Sequence, residues 1–216
     1  MNKKILLLGG GSKLYHPLYE VADVFKKIAE RENLKIFITD DRDYLQIEKI
    51  RDFDLLICST TEGKLTEKQA RGLREAVIGS PWGKIGRPIN FIGIHGASTS
   101  FVNQEWYYRM LGGRFLAHPE ISNVKVFPVR NHPFTDLMSE FELYDELYLM
   151  EYYPPFQTLL YTYYNGIEVP LAWVKNYGLG RVFYLASGHN RETLENPHIE
   201  RLLSLVIKDF INLTKE

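Results

Sequence analysis

The sequence predicts an α/β fold, a mostly parallel sheet covered by helices on both faces. Through residues 5–111, short apolar runs alternate with amphipathic helical patterns, as they do in repeated strand–helix–strand units. Those runs also end at glycine- or hydroxyl-rich turns rather than at hairpin dipeptides, which fits strands buried on both faces.

The first strand is expected at residues 5–8 (ILLL), stopping at Gly9-Gly10-Gly11. Pro17 suits a first helical position. Behind it, Leu18, Val21, Ala22, Phe25, Ile28 and Ala29 recur at helical spacing and give one apolar face. Residues 35–39 form the next strand, and residues 54–58 (DLLIC) another, ending in Ser59-Thr60-Thr61-Glu62-Gly63. Thr66 and Gln69 make a capping-box pattern ahead of a stripe of Ala70, Leu73 and Val77. Then come a strand at 89–94 and a helix from about 98 to 111, stopped by Gly112-Gly113.

From Phe115 the pattern changes. Residues 124–129, 146–150, 158–163 and 171–174 read as strands with short connections, suggesting antiparallel or mixed additions to the sheet. Residues 180–185 return to a buried strand that leads to Ser187-Gly188-His189, and Asn196-Pro197 opens a last amphipathic helix. Aromatic residues crowd residues 141–164. Tyrosine is normal on half-buried strands, but flat amphipathic rings also make sugar-stacking walls and homo-oligomer interfaces.

Composition narrows the functions. The chain has 216 residues, 45% hydrophobic and 25% charged, with no linker or repeat to divide it, so one domain over 1–216 is expected. A net charge of -1 excludes a basic nucleic-acid surface. A single cysteine, Cys58, excludes an internal disulfide and fits a reducing compartment. The apolar run in MNKKILLL is shorter than the ~7–15 residues of a secretory core. No stretch reaches the ~18–20 apolar residues of a membrane span, so a cytoplasmic protein without membrane contact is expected.

The chemistry gathers where strands end. Ligands of an open parallel sheet bind outside the carboxyl ends of its strands. After those ends fall His16, Glu62, His95 and His189. His95 stands in Gly93-Ile94-His95-Gly96-Ala97-Ser98, a sharp strand-to-helix turn. There the two glycines are expected to carry the geometry and the imidazole to be exposed. Converging imidazoles can hold a divalent metal, zinc above all, with Glu62 as base or fourth ligand. Without metal, His95 and His189 can serve as acid and base. A turn in which His95 only caps the helix is the plainer alternative. Cys58 lies within an apolar strand, where a buried inert thiol is expected. His118-Pro119 and His132-Pro133 sit in loops.

Several short pieces, in order, resemble the ThuA-like family, named for trehalose utilisation. They are GIHGAS (93–98), Trp106-Tyr107, Leu111 to Phe115 (LGGRF), His118-Pro119, His132-Pro133, Asp145-Glu146-Leu147-Tyr148, Trp173, and the run from Tyr177 to Tyr184. Ala97 stands where the family usually has a second glycine. The resemblance implies a flavodoxin-like, class I glutamine amidotransferase-like three-layer sandwich with added antiparallel strands. In the amidotransferase relatives the elbow residue is a cysteine that works with a histidine after a late strand. Here His95 and His189 hold those two places, so glutaminase chemistry is lost and the pocket is reused. The resemblance further implies hydrolase- or lyase-type chemistry on a glycoside or keto-sugar, with a small carbohydrate as the partner. Catalytic His95, His189 and Glu62, and substrate contacts at His16, Trp106, His118 and Tyr148, are the residues expected to carry it. The alternative is a non-catalytic sugar-sensing module in the same pocket. No pair of carboxylates at the sheet edge suggests a conventional glycosidase.

Overall fold

In a computed structural model of the chain, residues 3–11, 18–79 and 87–212 are described. In order the elements are β1 (Lys4–Gly10), α1 (Leu18–Arg31), β2 (Lys35–Thr39), α2 (Ile47–Ile50), β3 (Leu55–Thr60) and α3 (Glu67–Ile78). Then follow β4 (Asn90–Ile94), α4 (Glu105–Leu111), β5 (Gly113–Ala117), β6 (Ser122–Pro128), β7 (Phe141–Asp145) and β8 (Leu149–Tyr152). The chain continues through β9 (Gln157–Tyr164), β10 (Ile167–Tyr177), β11 (Gly180–Leu185), α5 (Arg191–Leu194) and α6 (Pro197–Asn212).

The main sheet has the order β2-β1-β3-β4-β11-β10-β9-β6-β7, and β5 pairs with β8 in a separate ribbon. The first five strands are parallel. The order reverses around β1, which has β2 on one side and β3 on the other, so ligand chemistry belongs at the carboxyl ends beside it. β1, β3, β4 and β11 bury both faces, while the edge strand β2 stays partly exposed. Leu7, Ile57 and Ile94 pack with α1 and α6, while Leu8, Leu56 and Phe91 pack with α3 and α4, which is why the runs are apolar without alternation. α1 buries Val21, Ala22, Phe25, Ile28 and Ala29 as its spacing predicts, and the capping box at Thr66–Gln69 forms. No described helix is long and apolar enough to cross a membrane.

From β11 onward each neighbouring pair in the order is antiparallel: β10, β9, β6 and β7 reverse in turn. Four reversals return β7 to the direction of the parallel strands, so its carboxyl end lies at their functional edge. In a flat sheet β7 would stand roughly 19 Å from β11, at ~4.8 Å per strand. Yet Asp145, the last residue of β7, accepts the Gly188 N–H at 2.7 Å, just past β11. The antiparallel half therefore curls back over the edge. Its ladder thins where it bends: β6 and β9 are in register only at Phe127–Tyr161 and Pro128–Leu160.

Several elements differ from the sequence expectation. The helix expected over 98–111 is a 3₁₀ turn (His95–Thr99) and a separate α4. Phe101 at φ 55 breaks it, and the Asn103 side chain cross-links both backbone groups of Leu65. β5 and β7 were not expected at all. Residues 146–150 are not one strand: Glu146 lies in the loop before β8.

Candidate active site

His95 follows β4 directly and is built into a strained turn. Its φ is 42, a left-handed conformation that costs a non-glycine residue about 1–3 kcal/mol and survives only when its surroundings fix it. They do. The Tyr184 hydroxyl donates to the His95 carbonyl at 2.8 Å and lies 2.8 Å from Ser98 Oγ. Tyr148 stacks on the ring at 4.1 Å, and His95 Nδ1 donates to the Ala186 carbonyl at 2.7 Å.

The side chain is 1% exposed, not open to solvent, and the strain sits at His95 itself rather than at the glycines. Those glycines are required for space. A Cβ on Gly96 would come 2.5 Å from Thr61 Oγ1, and one on Gly93 would come 2.6 Å from Leu111 Cδ1.

Glu146 is the residue the imidazoles share. Its Oε2 lies 3.3 Å from His95 Nε2, its Oε1 3.2 Å from His189 Nδ1, and the same Oε1 3.7 Å from His118 Nε2. The His95 and His189 rings meet edge to face at 5.6 Å. Burial works against ionisation of Glu146. Hydrogen bonds from His189 and His95 and their charge overcome it and hold the carboxyl well below its usual range. His189 moves the other way. Its bond to Glu146, opposed by burial and aided by the charges of Glu146, Asp145 and Glu20, raises its pKa. Burial pushes the Tyr148 hydroxyl far up, so it stays a neutral donor beside Glu146.

Asp145 holds the frame. Fully buried, it accepts the N–H groups of Gly188 (2.7 Å), Glu146 (2.7 Å) and His189 (3.3 Å). One carboxylate thus ties the end of β7 to the turn after β11. With its oxygens turned to backbone donors, it does not form an acid–base pair with Glu146.

The structure brings His95, His189, His118 and Tyr148 together. Two residues lie elsewhere. Glu62 is an exposed turn residue at φ 59 whose carbonyl accepts from Phe101 N–H and from Arg42, and it is outside the cluster. Its place is taken by Glu146, which read as a strand residue and was signalled only by the Asp145-Glu146-Leu147-Tyr148 piece of the family resemblance. Trp106 packs toward α3, with Arg74 5.8 Å over its ring and its Nε1 donating to Gln104 at 2.7 Å. His16 lies outside the described residues. Cys58 is fully buried in β3, and burial raises its thiol pKa.

Among the described residues, His95, Glu146 and His189 form the group whose donor atoms all lie within 4.8 Å of one another. Nitrogen and oxygen ligands about 2.0–2.2 Å from zinc stand roughly 3–3.6 Å apart. The His–Glu separations of 3.2 and 3.3 Å match that spacing. Two imidazoles and a carboxylate are a donor set of the kind that holds a divalent ion.

A parallel sheet wound about β1, an elbow at the end of β4 and a histidine after β11 define an amidotransferase-like α/β protein with an imidazole at the elbow. The chain belongs to the ThuA (trehalose utilisation) family, whose model matches residues 4–208. Its fold is similar to that of a ThuA-like protein from Bacteroides uniformis (TM-score 0.79, 18% identity, 99% of this chain and 93% of that one). It is also similar to one from Parabacteroides merdae (TM-score 0.80, 16% identity, 100% and 92%). A glutamine amidotransferase from Thermotoga maritima shares the fold more distantly (TM-score 0.58, 13% identity, 98% and 99%). No functionally curated protein matches in sequence.

Proposed function

We propose that the protein is a cytoplasmic enzyme of carbohydrate metabolism that acts on a glycoside or keto-sugar at the His95–Glu146–His189 cluster. The observation that carries this is the shared carboxylate: one partly buried Glu146 set between two imidazoles at 3.2–3.3 Å. His95 Nδ1 faces a carbonyl, which can only accept, so Nδ1 holds a proton and Nε2 is the reactive atom. Nε2 in turn faces a carboxylate oxygen. Two lone pairs at 3.3 Å repel, so a proton or a cation belongs between them.

With a proton there, the cluster is an acid–base device. His189, its pKa raised, protonates the leaving glycosidic oxygen while a water adds at the sugar carbon and returns its own proton to His189, and ionised Glu146 stabilises and orients the imidazolium. The proton held between His95 Nε2 and Glu146 Oε2 keeps the carboxylate turned toward both rings. With a divalent ion, zinc being favoured by the two nitrogens, His95, Glu146 and His189 are the ligands and His118 stands beside them. Such an ion would polarise a sugar carbonyl or acidify a bound water. Glutaminase chemistry does not fit, because the only cysteine is sealed inside β3.

A sugar-binding module without turnover is the competing reading, and the 1% exposure of His95 speaks for it. Metal analysis of the purified protein, with turnover of keto- and unmodified disaccharides, tests both. Stoichiometric metal lost in Glu146→Gln, or turnover lost in that variant, supports the enzyme. Disaccharide binding without metal and without turnover supports the module.

A further inference from the structure

The outer face of the antiparallel half carries rings that belong to neither hydrophobic core. Along β6, Val124 and Val126 are buried, while Lys125 and Phe127 turn outward. Phe127 stacks on Tyr161 at 5.5 Å, and Tyr163 meets both rings edge-on at 5.7 Å. Tyr163 is 55% exposed. Lys125 Nζ stands 4.9 Å over the Phe127 ring and pairs with Glu140 at 2.9 Å.

Where β6 and β9 part, a cleft of about 410 Å³ opens beside these rings. Its walls include Asn123, Lys125, Phe127, Tyr163, Pro119 and Leu147. That volume is in the range of small-molecule sites, about 300–1,000 Å³.

We propose that this cleft and its ring face form a second saccharide-binding site, separate from the histidine cluster. Flat aromatic faces suit the C–H face of a pyranose, and Asn123 and Lys125 supply hydrogen bonds to its hydroxyls. Two other occupants fit less well. Lys125, Glu140 and the exposed Glu142 and Glu168 surround the rings, whereas the core of a protein interface is depleted in charge. One lysine on a chain of net charge -1 does not make a nucleic-acid groove. The choice of a saccharide rests on the carbohydrate reading of the preceding subsection. The cleft also adjoins the cluster through the chain: Pro119 follows His118, and Leu147 follows Glu146.

The test is calorimetric titration of the full chain with trehalose, maltose and cellobiose, in wild type, Tyr163→Ala, Phe127→Ala and Glu146→Gln, with circular dichroism to confirm folding. Saturable binding that either ring variant weakens at least tenfold and Glu146→Gln preserves is the expected result. Binding that Glu146→Gln removes and the ring variants spare overturns the second site and leaves the carbohydrate enzyme standing. Ring-face binding with an inert, metal-free cluster keeps the second site and overturns the enzyme. No binding by any of the three sugars, or self-association that Tyr163→Ala abolishes, overturns the proposal.

Discussion

The parallel and antiparallel halves of the sheet contribute differently to one site. The parallel half supplies the edge: His95 and His189 stand in turns at the ends of β4 and β11, and Tyr184 and Ala186 from the same half fix His95. The antiparallel half supplies the charge. It curls back to place Asp145 and Glu146 over that edge, with Tyr148 behind them. The group that faces the elbow thus comes from a region that folds over it, not from the elbow's own half.

If the halves divide the work in this way, the largest effect belongs to Glu146→Gln. It keeps the shape but removes the charge that two imidazoles share. Activity on the true substrate is expected to fall about 10²–10⁴-fold, with bound metal lost in parallel. Steady-state kinetics and metal content measure both. A loss within a few-fold would place the chemistry wholly on the parallel half and break the comparison.

Asp145→Ala comes next and acts on the join. It leaves three backbone N–H groups, one buried and two partly buried, without their acceptor, and partial relaxation of the loop limits the expected loss to about 2–4 kcal/mol. Because the join also sets the distance from Glu146 to His189, metal affinity is expected to drop more than the melting temperature alone explains. A stability loss with unchanged metal affinity would make Asp145 a structural tie only.

His95→Ala touches the parallel half and is expected to cost about 1–3 kcal/mol as well as activity, since it removes a buried stack and a bond to Ala186. Denaturant unfolding measures it. A variant as stable as wild type would mean that the strained turn at φ 42 releases as much as the contacts supplied.

The two halves were also unequally legible. Local patterns announce the parallel half: β2 (Lys35–Thr39) and β11 (Gly180–Leu185) match their expected bounds, because continuous apolar runs and glycine stops are features of single segments. His95 and His189 are legible for the same reason, each being the polar residue after such a run. Glu146 is not. It reaches the site only through four strand reversals and a bend where β6 and β9 part, and no short window of sequence contains that path. Glu62 follows a parallel strand as His95 does, yet its turn at φ 59 leaves it exposed and outside the cluster. Position after a strand is a necessary signal and not a sufficient one.

The smallest expected effect is on pH-dependent stability, and it tests whether the halves are joined by charge. In the metal-free protein, Glu146 has a depressed pKa, so its contribution is present above its unfolded value near ~4.3 and is lost as pH falls toward its folded one. His189 has a raised pKa. Its contribution is complete below its unfolded value near ~6.5 and is lost as pH rises through the folded one. The pair should therefore stabilise the fold most between about pH 4.3 and 6.5, a plateau that Glu146→Gln flattens. Zinc held by the proposed ligands would reverse the alkaline limb, because protons compete with the ion for His189 and Glu146 and bound metal stabilises more as pH rises. Melting curves across pH, with and without zinc, show both limbs. An alkaline limb identical in wild type and Glu146→Gln would mean that the two halves meet through shape alone.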